Sequence, residues 1–288
     1  MAKKEILTAG GQAVIEGVLM RTKDKYAIAV RDPKGKIVVK KEKVKPQKNK
    51  ILKLPFIRGI ITLGESMSLG IKALNWSAEK SMGEEQEQLS PWVFILTIIF
   101  AIGVAIAIFK FLPFVLTSLF NLQINTEGSS FAIIEGIIKL LIFIIYLMLI
   151  GMMGDIKTVF QYHGAEHMTV HCYEAGKKLT VANVKKFGEA HARCGTAFLM
   201  FVIIISIIVY TFVRVDWGFW AGFGLRLALL PIIIGVSYEI LRLSSRFKKN
   251  VFVKILILPG LLVQKLTTKR PTDKQLEVAI RSLKEAIN

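Results

Sequence analysis

FAIIEGIIKLLIFIIYLMLIGMM, residues 131–153, is the stretch whose reading decides the fold. Its 23 positions carry two charged side chains, Glu135 and Lys139. Wound as an α-helix, such a run is about 34 Å long, enough to cross a hydrocarbon layer of roughly 30 Å. Three further stretches read the same way. Trp92 to Leu119 is interrupted by Lys110 and Pro113, Ala197 to Val213 is slightly short, and Phe219 to Leu241 contains Arg226, Pro231 and Glu239. The expected fold class is therefore mainly α: a polytopic membrane protein with about four transmembrane helices.

Composition agrees. The chain has 288 residues, 53% of them hydrophobic, and a mean hydropathy of +0.50. The apolar excess is concentrated in blocks, which excludes a simple soluble enzyme, a disordered chain and a secreted disulfide scaffold. Met1 to Thr8 is charged and lacks an apolar core, so no cleaved signal peptide is expected.

Charge orients the spans. Lys and Arg number 18 in residues 1–90, none in 121–130, six in 154–196 and 11 in 242–288. Positive segments stay inside, so both termini and the 154–196 segment are expected in the cytoplasm of a multi-pass bacterial plasma-membrane protein. This accounts for the net charge of +18 without nucleic acid, and the bilayer is the first partner expected. Cys172 and Cys194 then face a reducing compartment, where metal ligation or plain burial is favoured over a disulfide.

Outside the spans the chain divides further. Residues 1–50 read as a cytoplasmic β element. Tyr26–Val30 and Lys36–Lys40 flank Asp32-Pro33-Lys34-Gly35, a hairpin signal. The glycines of Gly10 to Arg21 imply close backbone approach or positive φ. A phosphate-cradling reading of that stretch lacks both the Gly-Lys-Ser/Thr ending and a long following helix. Residues 51–90 read as an interfacial helix (Ile51–Trp76, re-entrant in the alternative) and a polar linker at Glu84–Gln88, with the basic linker Lys43–Lys50 ahead of them. Spans one and two fill 91–153, a His-rich helical segment 154–196, and spans three and four 197–241. A cytoplasmic tail, 242–288, follows. In it Val251–Leu262, broken by Pro259-Gly260, reads as interfacial or re-entrant, and Thr272–Asn288 as a short amphipathic helix.

The segment that carries chemistry is Tyr162-His163-Gly164-Ala165-Glu166-His167-Met168-Thr169-Val170-His171-Cys172-Tyr173-Glu174. Three of the chain's four histidines fall in it; the fourth, His191, precedes Arg193 and Cys194. At about 100° per residue, His163, His167, His171, Glu166 and Glu174 share one helix face, and Cys172 points away with Ala165 and Met168. His163 and His167, one turn apart, can grip one divalent ion, with Glu166 beside them as general base. The order His-x-x-Glu-His is that of inverted zincins. His171 lies about 12 Å from His163 along the axis, too far for one ion to reach both from a straight helix. A third ligand is expected from His191, Cys194 or Glu174, zinc being the first choice of metal if the thiolate ligates. His171, Glu174, Arg193 and Glu239 complete the candidate site. The bland readings are a His-rich polar network, and a core face shared by His191 and Cys194 with Val184 and Phe187. Glu135 and Lys139, at i and i+4, are expected to pair with each other.

Thr8 to Arg21, Tyr162 to Glu174, His191 to Thr196 and Leu266-Thr267-Thr268-Lys269-Arg270-Pro271 together resemble the YqhQ-like bacterial membrane family. Its members are described as metal-dependent enzymes inferred from sequence, of unknown function. The resemblance implies a membrane location and a metal on His163, Glu166, His167 and the His191/Cys194 pair; it implies no substrate. The expected function is a metal-dependent membrane hydrolase acting on a lipid-linked or peptide substrate at the cytoplasmic face. The alternative is a non-enzymatic scaffold for protein insertion or envelope assembly, with membrane-protein partners and a structural His/Cys site. A transport path along Glu135, Lys139, Arg226 and Glu239 is the third reading.

Overall fold

The computed structural model of the chain describes residues 9–44, 49, 51–82, 90–124, 129–191, 193–212, 219–247 and 250–288. Thr8, most of the basic linker, the polar linker at 84–88, the middle of the 121–130 connection and Ala192 lie outside the described residues.

Four strands open the chain: β1 (Gly10–Val14), β2 (Gly17–Arg21), β3 (Lys25–Arg31) and β4 (Ile37–Lys43). They form an antiparallel meander in sequence order. The expected hairpin is β3–β4, with Arg31 opposite Ile37 and Gly35 at positive φ in its turn. The glycine-rich stretch ahead of it is a second hairpin, not a phosphate cradle. Its two-residue turn, Ile15-Glu16, puts the positive φ on Glu16. Gly17 serves close approach instead: a β-carbon there would lie 2.3 Å from the Ala29 carbonyl oxygen.

Both faces of this sheet are buried. Val14, Leu19, Tyr26, Ile28 and Val30 meet Leu69, Ala73 and Trp76 of α1 (Ile57–Met82). Val18, Met20, Ala27 and Ala29 meet Ala165 and Met168 of α5 (Gly154–Glu174), and Leu276 and Leu283 of α11 (Asp273–Ile287). Strict alternation along β2 and β3 is what lets one sheet serve two cores. Each fully buried aliphatic side chain contributes on the order of 2 kcal/mol. Helix α11 is held at its start by a reciprocal capping box, Thr272 with Gln275. The N-terminal sheet, the His-rich helix and the C-terminal helix thus pack together as one body.

Among the described residues, four helices are long and apolar enough to cross a membrane: 95–119, 130–150, 195–212 and 220–244. The first comprises α2 (Pro91–Ile106), a π-turn at Ala107–Phe111 and α3 (Leu112–Ile124). Pro113 does not break it, because the wider turn absorbs the clash a proline makes with the carbonyl four residues back. The second is α4 (Ser129–Ile150). After α5 and the single turn α6 (Val181–Val184) comes the third, α7 (Gly195–Phe212). The fourth divides at Leu229 into α8 (Phe219–Ala228) and α9 (Leu230–Arg246), just before Pro231.

Between α9 and α11 lies α10 (Val251–Thr267), continuous through Pro259. The break expected at Pro259-Gly260 does not occur. Gly260 is instead where α10 presses on α7, since a β-carbon there would lie 2.7 Å from that of Ala197. Close contact through small residues is how helices pack without a hydrophobic drive.

The intramembrane charges form one knot. Glu135, 1% exposed, accepts from Lys139 Nζ (3.3 Å) and from Arg226 Nε (2.7 Å). Lys110 Nζ donates to the Tyr210 hydroxyl (3.3 Å), and Arg226 stacks on Phe114. The expected Glu135–Lys139 pair is present, joined by an arginine from another span. Glu239, at the opposite end of its span, pairs with Arg58 of α1 and accepts from the Phe56 amide.

Candidate metal centre

Helix α5 carries the His-rich motif, and its far face explains why the site face is exact. Ala165, Met168 and Cys172 are buried in the core beneath the sheet, where burial pushes the Cys172 thiol up from its ordinary value. Tyr162 is buried there too and donates to Glu16; burial, reinforced by that carboxylate, raises its phenol. With this side locked, His163, Glu166 and His167 are left on the side facing α7.

Among the described residues, His163, His167 and Cys194 each offer a ligand atom, and those atoms lie within 4.8 Å of one another. His163 Nε2 is 3.2 Å from Cys194 Sγ, and the two imidazole rings are 4.4 Å apart. Each histidine's other nitrogen is engaged by main chain. His163 Nδ1 is 2.8 Å from the Thr267 carbonyl, and His167 Nδ1 meets the Glu189 carbonyl. A carbonyl only accepts, so each Nδ1 carries a proton and each Nε2 is the ring nitrogen left for a metal. His163 Nε2 faces Cys194, and His167 Nε2 faces Glu166. This is the supporting arrangement seen around metal-bound histidines.

Cys194 reaches the centre because the described residues between Phe187 and Cys194 are not helical, so the core face expected for Val184, Phe187, His191 and Cys194 does not form as a helix face. Cys194 precedes the first turn of α7, and the Thr196 amide donates to its sulfur (3.3 Å). Glu166, 5% exposed, lies with Oε2 3.3 Å from His167 Nε2.

The remaining candidates form an adjoining group. The His191 ring lies 5.6 Å from that of His167 and 4.6 Å from that of His171. Its Nδ1 accepts from the Arg193 amide (3.2 Å), and its Nε2 lies 3.8 Å from Glu174 Oε2. Glu174 also pairs with Arg193, whose guanidinium reaches the Ala9 carbonyl at 3.3 Å. Burial pulls the Arg193 guanidinium below its usual value, and the Glu166 charge opposes that. Glu239 is held by Arg58, while its neighbour Tyr238 lines the cavity.

Four participants escaped the reading of the sequence. Thr267 and Glu189 act through carbonyls. Gln264 bonds His191 main chain on both sides, accepting from its amide (2.8 Å) and donating to its carbonyl (2.9 Å). A fully buried glutamine in the apolar α10 was the one available clue. Gly164 lets the chain after α10 lie on α5: a β-carbon there would be 2.3 Å from the Lys269 carbonyl oxygen. His163, Glu166, His167, His191, Arg193 and Cys194 line a cavity of about 520 Å³ whose other walls come from α1, α9 and β1.

A family model described as a protein of unknown function, DUF1385, matches residues 54–288. The uncharacterized protein YqhQ of Bacillus subtilis (strain 168) is 36% identical over 302 positions, covering 100% of this chain and 95% of that protein. The chain belongs to the YqhQ-like family. The family model begins just before α1, and the Bacillus relative extends the match over the sheet. No solved structure matches.

Proposed function

We propose that this protein is a membrane-embedded hydrolase that holds a divalent ion, zinc, on His163, His167 and Cys194, and works at the cytoplasmic face of the bacterial plasma membrane. The observation that carries the reading is the pair of Nδ1–H groups tied to the Thr267 and Glu189 carbonyls, which leaves the Nε2 of each histidine for a metal held beside one thiol. Two imidazoles and a thiolate are a zinc donor set, and three protein ligands leave a position open, as catalytic rather than structural sites do. A divalent ion held by His163, His167 and Cys194 would supply Lewis acidity and would bring a bound water within reach of ionisation near neutral pH. Glu166, beside His167, accepts the proton of the attacking water and passes it to the leaving group. Arg193 steadies charge at the cavity's rim. The cytoplasmic assignment is supported by the packing of the three Lys/Arg-rich segments into one body.

Elemental analysis of the purified protein tests this. Wild type should hold one equivalent of zinc, and His163→Ala/His167→Ala should hold none while keeping its helical circular dichroism. Metal-free wild type ends the enzymatic reading. A closed four-ligand ion, visible by X-ray absorption, would favour the scaffold reading instead.

A further inference from the structure

We propose that the open edge of β1 binds an extended peptide segment as an added β-strand, setting one of its main-chain amides before Glu166 and the His163–His167–Cys194 centre. The chemistry rests on the metal reading above; the binding geometry rests on the sheet alone.

The Arg31 amide donates to the Glu16 carbonyl at 2.9 Å. Even-numbered residues of β2 therefore bond to β3, and odd-numbered ones bond to β1. Leu19 faces Gln12 and Gly17 faces Val14. Gly10, Gln12 and Val14 thus direct their main-chain groups to β2, while Gly11 and Ala13 turn N–H and C=O outward. No backbone partner pairs with those groups among the described residues. The two sets recur about 6.8 Å apart, the two-residue repeat of a ladder.

The surroundings keep this edge usable. Helix α5 covers one face of the sheet and α1 the other, so the edge gives onto the cavity that holds His163, Glu166 and Arg193. Natural edges are blunted by lysine, proline or a bulge; Gly10-Gly11-Gln12-Ala13-Val14 has none of these. Gly10 and Gly11 are exposed. Gly11 lets β2 and α5 approach this edge closely, since a β-carbon there would lie 2.2 Å from the Leu19 carbonyl oxygen and 3.1 Å from Glu166 Cγ.

Alternating donors and acceptors at strand spacing match a peptide main chain and not a lipid headgroup or glycan, and strand addition is an established mode of peptide capture. Cleavage of the docked amide consumes one water. Its oxygen forms the new bond to the carbonyl carbon, the C–N bond breaks, and Glu166 moves the proton from that water to the departing amine nitrogen.

The test uses full-length protein in lipid nanodiscs with one equivalent of zinc. The probe is fluorescein-labelled Ala-Val-Ala hydroxamate, read by polarisation, beside its counterpart methylated on the valine backbone nitrogen. Ala13→Pro removes an outward N–H without touching the β2 ladder. Methylation of the probe, and Ala13→Pro in the protein, should each weaken binding at least ~10-fold, with zinc content unchanged. Equal binding of both probes by wild type overturns the proposal whatever the variant does. If wild type holds no zinc, the metal reading fails by itself. Ala-Val-Ala amide then decides strand addition: sensitivity to methylation and to Ala13→Pro sustains it, and insensitivity to both overturns it.

Discussion

Gly164→Ala tests how the centre is built. The new methyl carbon would lie 2.3 Å from the Lys269 carbonyl oxygen, and main chain cannot turn aside as a flexible side chain can. Restoring ordinary contact requires the 267–269 segment to retreat by about 1 Å. Overpacking of this kind costs roughly 1–3 kcal/mol. The hydrogen bond from the Lys269 amide to the Phe160 carbonyl, 2.9 Å long, is lost as well, adding about 1 kcal/mol. The sum, about 2–4 kcal/mol, should appear as a lower unfolding midpoint of the metal-free protein in detergent. The same retreat carries the Thr267 carbonyl beyond hydrogen-bond range of His163 Nδ1, now 2.8 Å away. Loss of such a supporting bond lowers metal affinity by roughly 10–100-fold, measurable by zinc competition against a chromophoric chelator. Unchanged stability would refute the packing argument. Lower stability with unchanged zinc affinity would refute the role given to Thr267.

Three other outcomes follow from the same geometry. Glu135→Ala leaves Lys139 and Arg226 buried without their carboxylate and should cost about 3–5 kcal/mol, read from thermal unfolding in detergent; a loss under 1 kcal/mol would show that the knot is solvated. Cys194→Ser in cobalt-loaded protein should abolish the sulfur-to-metal charge-transfer band while the d–d bands persist, and retention of the band would remove Cys194 from the ligand set. The Tyr26 phenol is pushed up to about 12, first by burial and then by its hydrogen bond to Glu42. The folded state therefore holds that proton more tightly than the unfolded chain, whose phenol ionises near 10. Its contribution is complete below about pH 10 and is lost as pH rises toward about 12. Tyr26→Phe should flatten stability over that window in an alkaline denaturation series, and an identical alkaline limb in both proteins would contradict this.

Much of the architecture was legible because bilayers and helices impose simple rules. Runs such as residues 131–153 are too long and too apolar for another environment, and a 3.6-residue period brings His163, Glu166 and His167 to one face. Alternation in Tyr26–Val30 and the Asp32–Gly35 turn gave the β3–β4 hairpin. Short-range pairings such as Glu135–Lys139 came with the helix itself. The glycines before them were harder to read, because a two-residue turn that places positive φ on Glu16 carries no glycine signal. Pro259 also misled, since packing against α7 keeps that helix whole.

Local sequence, then, determined the spans, the His-rich stripe and its direction, all of which depend on neighbours within a turn or two. Tertiary structure decided which groups meet that stripe. Cys194 is brought in by an irregular loop, Thr267 by the chain after α10, and the β1 edge by a sheet some 150 positions away in the chain. Their placement depends on how helices and sheet stack: the sequence offered His191, Cys194 and Glu174 without choosing among them, and the Thr267 carbonyl and the β1 edge are main-chain groups that look alike in every sequence.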